Sequence, residues 1–195
     1  RMGMDGEGVT TLVALYGCPL KCKYCINNEC HTIPANAFSA TARKVVEHCM
    51  IDNLYFLYTN GGITIGGGEP LLHPDFIHHL RKSMPAGWSL NIETSLNVPQ
   101  KNVRKILYDI SAWIIDIKDM NPEIYLRYTE LPNDDVYNNL SLLSQQGLQG
   151  RCKIRIPLIP DYNTPDNQAE SVRKLKEFGF TDFDLFEYKT KQESL

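Results

Sequence analysis

Short apolar runs alternate along the chain with longer stretches whose apolar residues recur at helical spacing. Residues 10–16 (TTLVALY) read as a buried strand that ends at Gly17-Cys18-Pro19. Residues 41–49 predict a helix with Val45, Val46 and Cys49 on one face and Thr41 as its N-cap. A short strand over 62–65 runs into a triple glycine, and a helix over 74–84 carries Phe76, Ile77, Leu80 and Met84. A strand over 89–93 precedes a helix over 100–110 with Val103, Ile106, Leu107 and Ile110. The pattern closes with a strand at 113–117, a helix at 134–146 bounded by Gly147, a strand at 152–159, a helix at 164–178 and a last strand at 182–188. Six strands alternating with about five helices is the signature of a parallel α/β protein.

A parallel sheet places its ligand site at the carboxyl ends of its strands. Unusual polar residues collect there repeatedly. Cys18 to Cys25 follow the first strand, Gly66-Gly67-Gly68-Glu69 the second and Glu93-Thr94-Ser95 the third. Asp116 and Lys118 close the fourth, Pro160-Asp161 the fifth and Tyr188-Lys189 the sixth.

Composition narrows the class. A chain of 195 residues with 43% hydrophobic and 22% charged residues is expected to be one globular domain spanning 1–195, neither disordered nor fibrous. A net charge of −3 gives no basic footprint for nucleic acid. The opening RMGMDGEG has no apolar h-region, and no apolar run approaches the roughly 20 residues of a spanning helix. Neither a signal peptide nor a membrane segment is therefore expected. Arg1 rather than Met stands first, consistent with a few preceding residues. Clustered cysteines without a secretory signal point to the reducing cytoplasm, where they serve metal or redox chemistry. In that compartment the sequon Asn139-Leu140-Ser141 is chance.

Cys18, Cys22 and Cys25 are spaced C-x3-C-x2-C. Thiolates are soft ligands for zinc or iron–sulfur clusters. Three of them in a tight loop can hold three irons of a [4Fe–4S] cube and leave the fourth open to a substrate. The alternative is structural zinc with Cys30 or His31 as fourth ligand, but paired C-x2–4-C knuckles are missing. The glycines at 66–68 would let backbone N–H and C=O groups approach a ligand closely. No Gly-Lys-Ser/Thr follows them, so this is not a phosphate loop. Cys30 and Cys49 read as plain thiols and Cys152 as core. His31, His73, His78 and His79 show no partner pattern, with His78 and His79 on a helix surface. Trp88, Trp113, Tyr125, Tyr128 and Tyr137 read as packing residues.

The cysteine triplet, Tyr24 before its third member and the Gly67-Gly68-Glu69 turn resemble the radical S-adenosylmethionine (SAM) superfamily over nearly the whole chain. The resemblance implies a partial (β/α)6, TIM-like barrel and a single [4Fe–4S] cluster on Cys18, Cys22 and Cys25. It further implies reductive cleavage of SAM to a 5′-deoxyadenosyl radical that abstracts a hydrogen atom. Within the superfamily the chain looks most like the glycyl-radical-enzyme activases. Asp5-Gly6-Glu7-Gly8-Val9-Thr10-Thr11 resembles their DGPG-x-R-T opening, with Glu7 for Pro and Thr10 for Arg. By the same resemblance Asn27, with Gly66, Gly67, Gly68 and Glu69, would contact SAM. Glu93 and Thr94 would lie near the ribose, and a monovalent cation near Glu93 and Asp116. Asp116 and Lys118, in a D-I-K-D-M match to their D-L-K-x-M, would engage SAM, and Ile159 in 156–163 (IPLIPDYN) would face the adenine.

Two departures stand out: Ile26 replaces a His in the cluster loop, and Lys189 replaces a His that helps hold SAM. A lysine could still serve as a cationic partner for the SAM carboxylate. Many activases insert a ferredoxin-like segment with eight further cysteines after the cysteine loop, but the 40 residues between Cys25 and Gly66 hold only Cys30 and Cys49, so no second cluster is expected. The implied partners are a glycyl radical enzyme as protein substrate and a flavodoxin or ferredoxin-type electron donor, acting on a cytoplasmic monomer. Radical modification of a small molecule or short peptide, and a non-enzymatic zinc-binding interaction module, are the alternatives.

Overall fold

The computed structural model describes residues 6–35 and 37–188. Lys189, one of the expected SAM contacts, lies outside the described residues. The strands β1 (Thr10–Leu15), β2 (Gly62–Gly67), β3 (Ser89–Thr94), β4 (Ala112–Asp116), β5 (Cys152–Leu158) and β6 (Asp182–Glu187) follow one another in chain order in a six-stranded sheet. The α/β class and all six strands agree with the hydrophobic pattern to within one or two residues at each end.

The chain forms two compact units. The first comprises Arg1–Cys18, Asn27–Thr94 and Val98–Ile114; the second comprises Pro19–Ile26, Ser95–Asn97 and Ile115–Leu195. In the first unit β1 and β2 pair in parallel from Thr10↔Gly62 to Leu15↔Gly67, and β2 and β3 from Gly62↔Ser89 to Ile65↔Ile92. Helices α1 (Ala42–Cys49), α2 (Asn53–Thr59), α3 (Pro74–Ser83) and α4 (Gln100–Ile106) belong to the same unit. Ile63, Ile65, Leu90 and Ile92 from the strands are buried, as are Ile77, Leu80 and Val103 from the helices. Phe56 of α2 meets Trp88 edge-on at 4.8 Å, and the Trp88 indole N–H donates to Asn53 Oδ1 at 2.8 Å. Thr41 caps α1 by accepting from the Lys44 N–H, as its position predicts.

In the second unit β5 and β6 pair in parallel from Lys153↔Asp182 to Leu158↔Glu187. Helices α5 (Pro122–Thr129), α6 (Asp134–Gln145) and α7 (Pro165–Glu177) supply Tyr125, Tyr128, Leu140, Leu143 and Leu175, all at most 1% exposed. Thr164 and Asn167 close a capping box at the start of α7, which fixes where that helix begins. Cys152 is buried core, with its thiol pushed up to about 12 by desolvation.

Three expectations need correction. About five helices becomes seven among the described residues, because α2 and α5 carry no clean apolar stripe. In α2 Leu54, Tyr55, Leu57 and Tyr58 are exposed and only Phe56 is buried, the reverse of an amphipathic reading. Helix α5 is set by its start: Pro122 occupies the first turn and Asn121 accepts from the Glu123 and Ile124 N–H groups. Helix α4 stops at Ile106 rather than 110, since Asp109 folds back into a turn on the Ile106 carbonyl. Finally, two histidines have partners: His78 Nδ1 lies 2.7 Å from Asp109 Oδ2, and His73 Nε2 lies 2.9 Å from the Tyr16 carbonyl. No helix among the described residues is long and apolar enough to cross a membrane.

Candidate functional site

In the first unit the glycine turn after β2 is stitched to the end of β1 by backbone bonds. Gly68 N–H donates to the Leu15 carbonyl at 2.9 Å, and Glu69 N–H donates to the Gly17 carbonyl at 2.7 Å. Gly17, at φ +94°, in turn donates to the Cys30 carbonyl at 2.8 Å and leads straight into Cys18, which is half-buried. A Cβ on Gly68 would fall 2.1 Å from the Gly17 carbonyl oxygen, so only glycine permits this approach. Gly67 sits at φ +95°, and its carbonyl accepts from Asn27 Nδ2 at 3.0 Å. A Cβ on Gly66 would meet Glu93 Oε2 at 2.9 Å, which places that carboxylate against the glycine. Glu69 is 1% exposed and accepts from the Leu71 N–H at 3.1 Å and the Thr94 hydroxyl at 2.7 Å. Asn27, Gly66, Gly67, Gly68, Glu69, Glu93 and Thr94 are thus brought together beside the end of β1.

The second unit holds the rest. Residues 19–26 lie along the C-terminal turn of α5: Lys21 N–H donates to the Thr129 carbonyl at 3.0 Å, and Lys23 N–H donates to the Tyr128 carbonyl at 3.3 Å. These are carbonyls that a helix end leaves without intrahelical partners. The ammonium groups of Lys21 and Lys23 pair with Glu130, the left-handed C-cap at φ +65°. Cys25 N–H closes a turn on the Cys22 carbonyl at 3.3 Å. Tyr24 packs its ring 6.3 Å from Tyr128 and 6.0 Å from Tyr162, and its hydroxyl donates to Asp161 Oδ2 at 3.3 Å.

Charge gathers behind this loop. Asp116 faces Lys118 Nζ at 3.4 Å and Arg155 Nε at 3.2 Å, one cation on each oxygen. Lys118 is 8% exposed, and that burial disfavours its charge. Burial is the largest single influence, but Asp116, Tyr188, Cys22 and Tyr128 together outweigh it and hold the ammonium well above the ordinary lysine range. Burial pushes the Cys22 thiol up, and Lys118 only partly offsets it. Ile159 is fully buried, its N–H bound to Asn163 Oδ1 at 2.6 Å. Asn163 is anchored in turn by donating to Asp119 Oδ2 and the Pro157 carbonyl, each at 3.1 Å.

Residues 12–175 match the Radical SAM superfamily. That match covers well over half of the chain. The chain belongs to the radical SAM superfamily. The family is one of enzymes, and it implies a [4Fe–4S] cluster and SAM as cofactors. Among similar proteins is the (2S)-3-sulfopropanediol dehydratase activating enzyme of Klebsiella oxytoca, 29% identical over 228 aligned residues that cover 86% of this chain and 71% of the relative. The 4-hydroxyphenylacetate decarboxylase activating enzyme of Clostridioides difficile is 28% identical over 86% of this chain and 72% of its own. Both alignments are longer than the chain itself, so the relatives carry residues inside the matched span that this chain lacks. In fold the chain resembles Streptococcus suis SuiB bound to S-adenosylmethionine, with a TM-score of 0.69 and 16% identity over 91% of this chain and 40% of that one.

The donor set of this radical SAM chain fits an iron–sulfur cluster. None of its six cysteines is in a disulfide, and Cys18, Cys22 and Cys25 are all half-buried on loops rather than locked in the core. Among the described residues no three Cys, His, Asp or Glu side chains already converge on one point. Metal binding would displace the protons of such loop thiols. Thiolates are soft ligands that favour iron–sulfur over hard cations. Cys30, Cys49 and Cys152 are isolated from one another in sequence and form no second zinc knuckle.

Arg155, Tyr128 and Asn163 escaped the sequence reading. Arg155 is the lone half-buried cation between buried Ile154 and Ile156, and that break in an apolar strand was the available signal. Nothing in the sequence sets Tyr128 apart from the neighbouring tyrosines. Asn163 shows itself only by its four-residue reach back to Ile159.

Proposed function

We propose that this chain is a glycyl-radical-enzyme activase, with residues 1–195 serving as one radical SAM core. A cluster held by Cys18, Cys22 and Cys25 would supply the single electron for reductive cleavage of SAM, the chemistry that would let the chain take a hydrogen atom from a glycine Cα of the partner. Cys18, Cys22 and Cys25 are the cluster ligands in this reading. Tyr24 orders the loop that carries Cys25 through its bond to Asp161. Asn27, Gly66, Gly67 and Gly68 offer backbone and amide groups to the methionine end of SAM, with Glu69 as acceptor for its ammonium. Lys118 holds the SAM carboxylate, oriented by Asp116, and Lys189 adds a second cation. Glu93 and Thr94 serve the ribose, a monovalent cation binds near Glu93 and Asp116, and Ile159 packs against the adenine. A flavodoxin or ferredoxin-type protein delivers the electron, and the enzyme works as a cytoplasmic monomer.

The observation that carries this reading is the likeness to activating enzymes at 28–29% identity over 86% of the chain, on top of the C-x3-C-x2-C loop. Its test is anaerobic reconstitution followed by incubation with SAM, a reductant and purified glycyl radical enzymes of the diol-dehydratase and arylacetate-decarboxylase kinds. The expected outcome is four irons per chain, 5′-deoxyadenosine formation, and a doublet glycyl radical signal with one of the partners. C22A should lose SAM cleavage altogether. Retained cleavage in C22A would overturn the ligand assignment, and a small-molecule turnover with no doublet from any partner would overturn the activase assignment.

A further inference from the structure

One turn of helix α5 holds two segments at once. Its Tyr128 and Thr129 carbonyls accept from the Lys23 and Lys21 N–H groups of the cysteine loop. Arg127, the residue before them, holds the turn that follows β5: its Nη2 donates to the Tyr162 carbonyl at 2.6 Å and to the Asp161 carbonyl at 3.3 Å. The guanidinium also lies 5.1 Å from the centre of the Tyr162 ring. That turn is closed on itself, because the Ile159 carbonyl accepts from the Tyr162 and Asn163 N–H groups at 3.1 and 3.2 Å. Asp161 at its middle has φ +66°, a conformation that glycine adopts freely and most other residues do not. Backbone strain of that kind persists where the surrounding structure enforces it, and it collects at working sites. Here the Asp161 carboxylate accepts from the Tyr24 hydroxyl at 3.3 Å, and Tyr162 meets the Tyr24 ring edge-on at 6.0 Å. The cysteine loop and the turn after β5 thus touch each other, and three consecutive residues of α5 hold both.

We propose that Arg127 is a positioning residue for the adenosyl end of SAM, fixing the turn at 159–163 against the cysteine loop so that Ile159 and the loop keep one separation. The proposal rests on the reading of Ile159 as the adenine contact. Ile159 stands two residues before Asp161, and Cys25 one residue after Tyr24, so the bond between Tyr24 and Asp161 joins the two seats. That bond is long and open to solvent, and it holds only while the Asp161 backbone is fixed. Arg127 does the fixing. A hydrogen bond from a charged donor is roughly twice as strong as a neutral one, and this one falls on the carbonyls of the strained residue and its neighbour. The separation matters because a misplacement of about 1 Å between reacting groups can lower a rate by about a hundredfold. A single arginine nitrogen makes both bonds, so a lysine ammonium can replace it, whereas an uncharged methionine side chain cannot. Free methionine carries no adenine, so its binding does not depend on this turn.

The test uses the reconstituted protein and three variants. R127M removes both hydrogen bonds and keeps an unbranched side chain, R127K keeps the cation, and D161G relaxes the turn and deletes the acceptor for Tyr24. Dissociation constants for SAM and for methionine alone come from equilibrium dialysis of the unreduced protein, which cannot cleave SAM. R127M and D161G should carry the same iron and sulfide as wild type and bind methionine equally well. Both should bind SAM about tenfold more weakly, because binding must then order the turn. R127K should bind SAM as wild type does. Wild-type SAM affinity in R127M or D161G at full iron content would overturn the proposal. An equal loss of SAM and methionine, a failure of R127M to take up iron, or R127K as weak as R127M would overturn it as well, since each gives Arg127 a general structural role. A wild-type chain that takes up a cluster yet binds SAM no better than methionine would instead defeat the reading of Ile159 on which the proposal rests.

Discussion

The turn at residues 66–69 and the loop at residues 19–26 both hang on backbone bonds but differ in what surrounds those bonds. The first is built from backbone: the glycines at 66–68 carry no Cβ, and main-chain N–H groups of Gly68 and Glu69 reach the carbonyls of Leu15 and Gly17 within 2.9 Å. The second is tied by two backbone bonds to the end of α5 and is surrounded by side chains and charge, with Lys21 and Lys23 on Glu130, Tyr24 on Asp161, and Lys118, within electrostatic reach of Cys22, on Asp116. A backbone turn keeps its shape across pH and salt but tolerates no added atom. A charged scaffold tolerates substitution of its exposed members and responds to pH through its buried ones. The difference suits two tasks, a fixed edge for a ligand's polar end and a loop whose thiols must change protonation to bind metal.

The sharpest way to break this contrast is one methyl group in the turn. Gly68→Ala puts a Cβ 2.1 Å from the Gly17 carbonyl oxygen and 2.8 Å from its carbon, and neither can move aside as a flexible side chain would. The expected cost is about 3 kcal/mol or more, seen as a melting temperature lower by roughly 6–12 °C. The same loss should appear at every pH and salt concentration tested. A G68A chain that melts with wild type would mean that the turn yields, contrary to a backbone-built edge.

Next in size is the buried charge. Asp116→Asn removes the group that offsets burial of Lys118, at a cost of about 2 kcal/mol near neutral pH, below that of a fully buried pair because the Asp116 side chain is 27% exposed. The sign of the pH dependence separates the two chains. In wild type the Lys118 pKa lies above its unfolded value, so its stabilisation is complete below about pH 10 and is lost as pH rises through the folded value. In D116N burial acts without Asp116 and drives the pKa below the unfolded value. The folded variant then binds fewer protons than the unfolded one, and its stability should rise from about pH 8 to pH 10 while wild type stays level. Urea unfolding at those two pH values measures the slope, and parallel slopes would refute the coupling.

The contrast also explains what could be read from the sequence. The strands and the turn were legible because their signals are local: apolar runs such as Ile63 to Ile65, followed by glycines that only a special backbone requires. The thiols were legible by spacing, and Asp116 and Lys118 by their period-2 placement at a strand end. Arg155, Tyr128 and Asn163 were not, because each owes its role to a partner in another segment or to burial. Helix α2 was missed for a different reason. Its apolar residues point outward, so periodicity placed no buried face there.

The smallest effect sharpens the comparison from the other side. Glu130 pairs with Lys21 and Lys23, and Lys23 holds its carboxyl below the usual glutamate range. Both lysines and Glu130 are widely exposed, with side chains 74%, 41% and 44% accessible, so solvent and salt screen the pairs. The loop's attachment rests instead on the two backbone bonds to the Tyr128 and Thr129 carbonyls, which a change at the Glu130 side chain leaves intact. Glu130→Gln should therefore lower the melting temperature less than either variant above. Its contribution is present above the ordinary glutamate pKa and lost as pH falls through the depressed one, so wild type and E130Q should converge in acid. They should converge in high salt as well. A loss as large as that of D116N, or one that persists in high salt, would mean that this exposed clamp and not the helix end carries the cysteine loop.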